Sequence, residues 1–194
     1  MPATFWSAPT QEGNAAPFVQ STITAAVLDV SPGQYLIPAG MLDVGTRLRI
    51  VAWGQYIATT TASTITWGFY MNGPGSTILT TPAVLGLGPA ITCVASTMPW
   101  MLEYWGTITA ASVTANATTG QIIGRGRFSC PLTSWTTAPS EFIVPQTVGA
   151  QTVQQTATGM NTAATQNILV GATVTTATGL TSITTNELTC EILG

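Results

Sequence analysis

The sequence predicts an all-β fold, an antiparallel jelly roll or β-sandwich of about eight to ten short strands, and three observations carry that expectation. Thr supplies about one residue in five, and Thr and Val, stiff at χ1, suit a pleated surface better than a helix. The 19 Gly and 12 Pro interrupt any long helix. Apolar residues recur with a period of two rather than 3.6.

The first segment, 1–19, reads differently from the rest. Pro2, Pro9 and Pro17, with Gly13 and Asn14, make a poor strand, yet Phe5, Trp6 and Phe18 are large and apolar. A loose terminus is one reading. The other is an extended N-terminal arm that docks its aromatics in pockets of a neighbouring subunit. The expected organisation is therefore an arm over 1–19 and a jelly-roll domain over 20–194, with Phe5, Trp6 and Phe18 as attachment residues.

Strands are expected next at 21–30 and 34–38. Over 46–53, Leu48, Ile50 and Ala52 share one face while Arg47, Arg49, Val51 and Trp53 share the other. Over 64–71, Ile65, Trp67, Phe69 and Met71 point the same way. A short strand is expected at 76–80. Over 100–105, Trp100, Leu102 and Tyr104 line one face and Met101, Glu103 and Trp105 the other, which suits a strand covered on both sides. Segments 121–128, 141–144 and 167–175 alternate more weakly. At the end, Leu188, Cys190 and Ile192 oppose Glu187, Thr189 and Glu191. Turn signals punctuate these runs: Ser31-Pro32-Gly33, Pro38-Ala39-Gly40, Asn72-Gly73-Pro74-Gly75, Gly86-Leu87-Gly88-Pro89 and Thr118-Thr119-Gly120. No fixed internal period argues for a solenoid or propeller.

Charge decides which functions to expect. Only 4 residues are Lys or Arg, all of them Arg, against 7 Asp or Glu and no His, for a formal charge of −3. Nucleic-acid binding needs clustered cations, so no nucleic-acid partner is expected. Lacking His and Lys, the chain lacks the usual residues of general-base, Schiff-base, triad and zinc chemistry, so no enzyme, metal or cofactor is expected. Apolar stretches such as 82–91 fall far short of a spanning helix, so no membrane partner is expected. No basic residue precedes Arg47 and no apolar run follows Met1, so no secretory signal is expected. Cys93, Cys130 and Cys190 are odd in number and irregularly spaced, which suits small buried hydrophobes rather than a disulfide framework.

Several residues invite a chemical reading. Glu103 sits in the most aromatic stretch of the chain, where a carboxylate needs a partner and Arg is the only cation available. It reads as an Arg-paired residue that fixes register or an interface, in preference to a catalytic acid, because no second carboxylate lies nearby in sequence. Arg47 and Arg49, like Arg125 and Arg127, are i, i+2 pairs on one strand face. They could meet Asp43, Glu103 or Glu141 across strands or subunits, or simply face solvent. Gly124-Arg125-Gly126-Arg127 lacks the Lys and the following helix of a phosphate loop. Trp53, Trp67, Trp100 and Trp105 fall inside strands, where a core or subunit-interface role is expected. Trp135 alone is loop-like, a weak candidate for sugar stacking. The set expected to serve buried pairing or an oligomer interface is Trp100, Met101, Glu103, Trp105, Arg47 and Arg127.

A free-standing domain carries roughly 25–35% charged residues on its surface, and this chain has 6% in all. Such a surface suits a protein that lives inside an assembly, where closed oligomers also remove exposed edges. The run Leu42-Asp43-Val44-Gly45-Thr46-Arg47-Leu48-Arg49-Ile50-Val51-Ala52-Trp53-Gly54 resembles a pattern in structural proteins of tailed bacteriophages. Ile65-Thr66-Trp67-Gly68-Phe69, Trp100-Met101-Leu102-Glu103, Gly124-Arg125-Gly126-Arg127-Phe128 and the stretch 183–193 follow in the same order. The resemblance spans 21–193; the Pro-rich 80–99 segment, which looks like an insertion, and the aromatic arm depart from it. It implies a jelly roll related in shape to tumour-necrosis-factor-like trimers. It further implies a virion structural protein, made in the host cytoplasm, that decorates the capsid exterior as a homotrimer bound to the major capsid protein. The rival readings are a tail or fibre component that binds a host receptor and a carbohydrate-binding β-sandwich module.

Overall fold

A computed structural model describes residues 6–7, 18–33, 35–75, 82–114, 118–130, 140–144 and 155–193. Two antiparallel sheets pack face to face. The larger contains β1 (Trp6–Ser7), β2 (Phe18–Gln20), β5 (Arg47–Ala58), β9 (Thr97–Ala110), β10 (Gly120–Cys130), β11 (Ser140–Val144), β12 (Gln155–Met160) and β14 (Leu180–Leu193). The smaller contains β3 (Val27–Asp29), β4 (Tyr35–Ile37), β6 (Thr64–Asn72), β7 (Ala83–Leu87), β8 (Ile91–Thr92) and β13 (Gln166–Thr176).

The pairings are nested along the chain. β2 pairs with β14, β3 and β4 with β13, β5 with β9, and β6 with β7. Successive pairs alternate between the two sheets, as in one long hairpin wound around a barrel axis, and this is a jelly roll. β10, β11 and β12 are added between β9 and β13. β10 extends the larger sheet beyond β9, while β11 runs along 126–130 and β12 along 120–124 of its far edge. Ser112 ties the base of this addition. Its N–H donates to Thr162 Oγ1 (2.6 Å), its hydroxyl donates to Met160 O (2.9 Å), and its oxygen accepts from Gly120 N and Thr162 N (both 3.2 Å).

Alternation sets what lies between the sheets. Leu48, Ile50, Ala52 and Tyr56 of β5 point inward with Ile65, Trp67, Phe69 and Met71 of β6, all of them buried. Trp67 stands at the centre. It stacks on Phe128 (5.2 Å, 23°) and packs tilted against Trp100 (5.5 Å) and Tyr56 (6.0 Å), so one indole bonds the two sheets. Cys93, Cys130 and Cys190 form no disulfide and are buried, and burial pushes each thiol up to about 12. They are inert packing residues.

Several of the expected segments take a definite form. Two short pieces of the N-terminal segment, β1 and β2, lie antiparallel on the outer edge of the chain's own β14, with Trp6 opposite Ile192 and Phe18 opposite Thr185. An uncovered β14 would be an open edge, and strand addition satisfies its backbone groups. Phe5 lies outside the described residues, as do 76–80 and Trp135. Within the 80–99 segment, Ala83–Leu87 forms β7, the partner that closes the innermost hairpin with β6. Finally, 21–30 yields only the three-residue β3.

Candidate interaction face

The outward side chains of the larger sheet form the one place where described charges gather. From β14 across β5 and β9 to β10, the registers give rows of Leu193, Arg47, Thr107 and Ile123; of Glu191, Arg49, Trp105 and Arg125; of Thr189, Val51, Glu103 and Arg127; and of Glu187, Trp53, Met101 and Ser129. All four Arg and Glu103, Glu187 and Glu191 therefore share this face. Of the described charged side chains, only Asp29 and Asp43 lie elsewhere.

Local sequence explains the arrangement. In Gly124-Arg125-Gly126-Arg127, the glycines point inward and the arginines outward. An added Cβ at Gly126 would meet the backbone carbonyl of Glu103, and one at Gly124 would meet the Tyr104 hydroxyl, whose ring lies over it. These glycines let β10 lie close on β9, which brings Arg127 level with Glu103.

Glu103 is 2% exposed and satisfied on both oxygens. Oε1 accepts from Arg49 Nε (2.9 Å) and Nη2 (2.8 Å), and Oε2 accepts from Arg127 Nε (3.0 Å). Arg49 Nη1 continues to Glu191 Oε2 at 3.3 Å. The hydrogen bond to Glu103 holds the Arg49 guanidinium above its ordinary pKa despite the opposing effect of burial. Two cations and two anions form a neutral network across β14, β5, β9 and β10, with the buried carboxylate at its centre. Both arginines stay about half exposed, so the network fixes strand register more than it adds stability.

The sequence-derived residues divide as follows. Glu103 is Arg-paired, with Arg49 and Arg127 as its partners and not Arg47. Met101 and Trp105 are partly buried on the outer face beside it. Trp100 lies on the opposite side, 2% exposed in the core against Trp67, so its role is buried packing and it offers nothing to a partner chain. Trp6 and Phe18 sit on the β14 edge by backbone pairing. Arg47 and Arg125 make no ion pair among the described residues, and neither does Asp43. Sequence reasoning missed Glu191 and Glu187 as partners, although their alternation with Leu188 and Cys190 marked them as outward. Glu187 Oε2 accepts from Trp53 Nε1 at 2.9 Å and holds an indole that is 44% exposed. Among the described residues no group of three or more His, Cys, Asp or Glu is placed to hold a metal, and no helix is long and apolar enough to cross a membrane.

Searches against family models, curated proteins and solved structures return no match to this chain.

Proposed function

We propose that this chain is a virion structural protein, a decoration protein that binds the outer surface of a phage head as a homotrimer and cements neighbouring capsomers of the major capsid protein. One observation carries the reading: the jelly roll confines its described cations to a single sheet face and leaves the rest of its described surface nearly uncharged. A free monomer with so little charge has poor colloidal stability, whereas a subunit that buries its faces against neighbours does not need it. The phage-like order of motifs from Leu42 to Leu193 agrees with this reading. Added buried interface on a capsid resists the pressure of packaged DNA without any catalytic group. In this reading the attachment element is the N-terminal segment, whose pairings on β14 are only two and three residues long.

The test is a cryo-EM map of the particle that encodes the chain, together with rebinding of purified protein to particles lacking it. Hundreds of copies on the head are expected, and removal of residues 1–19 should abolish rebinding. A handful of copies at the tail, or none on the virion, overturns the reading. Trp53, exposed and oriented by Glu187, favours a second reading as a carbohydrate-binding module. Glycan-array binding that is lost in Trp53→Ala would establish that alternative.

A further inference from the structure

We infer that the patch around Trp105 is a socket for the Asp43–Val44 turn of a second copy of this chain. The inference concerns self-association alone and stands whether or not the protein sits on a capsid.

Trp105 stands level with Arg49 on β5 and Arg125 on β10, and Arg47 and Arg127 occupy two of its diagonals. All the cations of the chain thus surround one partly buried indole. Arg49 and Arg127 are neutralised by Glu103. Arg47 and Arg125, on opposite sides of the ring, carry exposed guanidiniums with no ion partner among the described residues. The patch therefore offers a flat apolar floor between two free cations. An apolar side chain next to a carboxylate fits that shape and charge.

The chain carries such a group. Asp43 is exposed and makes no ion pair among the described residues, and Val44 beside it is 64% exposed, among the most exposed large apolar residues described. The turn that presents them is stiff. Leu42 is buried in the core, Thr46 N donates to Asp43 O (3.0 Å), and Gly45 takes a φ of +93° that suits Gly. Gly45 N donates to Ile108 O and Ile108 N donates to Thr46 O, both at 2.9 Å. A turn held this way loses little conformational entropy on docking. Within one chain Asp43 does not ion-pair with Arg47 among the described residues, so both stay available to a second molecule. Nucleic acid and anionic membranes fit poorly, because two free cations on a chain of net charge −3 supply too little attraction. A second copy supplies the missing carboxylate and the apolar peg together.

The test is sedimentation velocity from about 1 to about 100 μM, on wild-type chain and on Asp43→Arg, Arg125→Asp and the double variant. Both sites are exposed and unpaired, so circular dichroism and melting temperature should stay at wild-type values. Each single change should weaken self-association by at least about tenfold, and the double variant should recover most of the loss. A wild-type chain that stays monomeric throughout overturns the inference. So do single variants that assemble normally, or a double variant no better than the singles. Rebinding to particles is a separate readout, so loss of decoration with the self-contact intact would strike only the proposed function.

Discussion

The two outer faces of the sandwich are built on the same inward pattern and differ in almost everything else. Among its described side chains the larger sheet presents four Arg, three Glu, Trp53 and Trp105. The smaller presents Thr64, Thr66 and Thr173, with Gly68 beneath Tyr70 and Leu87, and none of β4, β6, β7, β8 or β13 carries a charged residue. Tyr70 and Leu169 form a small closed cluster there with Val84 and Leu87, and burial raises the Tyr70 phenol above its ordinary pKa. The difference shows that inward alternation fixes the sandwich, whereas the outward residues are free to specialise. One face covers itself with its own side chains; the other holds a polar network and leaves Arg47 and Arg125 outside it among the described residues.

The largest expected effect falls between the faces, where they should not differ. Each buried thiol has a folded pKa near 12 against about 9 unfolded. The raised folded value means their stabilising contribution is complete below pH 9 and is lost as pH climbs toward 12, because only the unfolded chain releases the protons. Burial raises the phenols of Tyr56, Tyr70 and Tyr104 in the same direction, so thiols and phenols lose their contributions together as the solution turns alkaline. Melting temperature should be flat from about pH 6 to 8 and should collapse above about pH 10. Cys130→Ala with Cys190→Ala should flatten that fall, and an unchanged profile would show the thiols are not responsible.

Glycine substitutions sharpen the comparison. Gly126→Ala on the charged sheet drives a Cβ into the Glu103 backbone carbonyl, which cannot move alone, and should cost about 3–5 kcal/mol. Gly68→Ala on the other sheet meets Leu87 Cδ2 at 2.5 Å, the far end of a flexible side chain, and should cost about 1–2 kcal/mol. Equal costs in denaturant titrations would mean that the two sheets tolerate strain alike.

Aromatic truncation should follow the same divide. Tyr70→Ala removes a ring that is 6% exposed and should cost about 2–4 kcal/mol. Trp53→Ala removes one that is 44% exposed and should cost less than about 1 kcal/mol. A large loss at Trp53 would mark the charged face as a structural element of the monomer rather than a surface for a partner.

Glu103 gives the smallest contrast. Glu103→Ala leaves Arg49 and Arg127 facing each other and should cost about 1–3 kcal/mol, reduced because both guanidiniums reach water. Glu103→Gln keeps an acceptor of the same shape and should lose less, with no associated loss of any turnover. A Gln variant that melts as early as the Ala variant would show that charge, not shape, holds the network.

The local sequence determined the strands and their inward faces. Alternation at Leu48, Ile50 and Ala52, at Ile65, Trp67, Phe69 and Met71, and at Leu188, Cys190 and Ile192 is a property of neighbouring residues, since a period of two follows from strand geometry itself. The need of Glu103 for an Arg was also legible, because an unpaired carboxylate in that aromatic run is too costly to bury. Which Arg answered it was not. Val51 is the residue of β5 level with Glu103, and only the β5–β9 and β9–β10 registers bring Arg49 and Arg127 to it while leaving Arg47 apart. The local pattern put Trp100 and Trp105 on opposite faces of one strand, but with both faces apolar it did not tell which of them turns to the core. Gly86-Leu87-Gly88-Pro89 reads as a turn signal, yet Gly86 and Leu87 belong to β7, where pairing with β6 overrides the local signal. The pairing of Trp6–Ser7 and Phe18–Gln20 with β14 was not legible either, because the open backbone of β14 offers hydrogen bonds that no local pattern reveals. Registers and edges depend on contacts between residues far apart in the chain, and these were decided only when the tertiary structure closed.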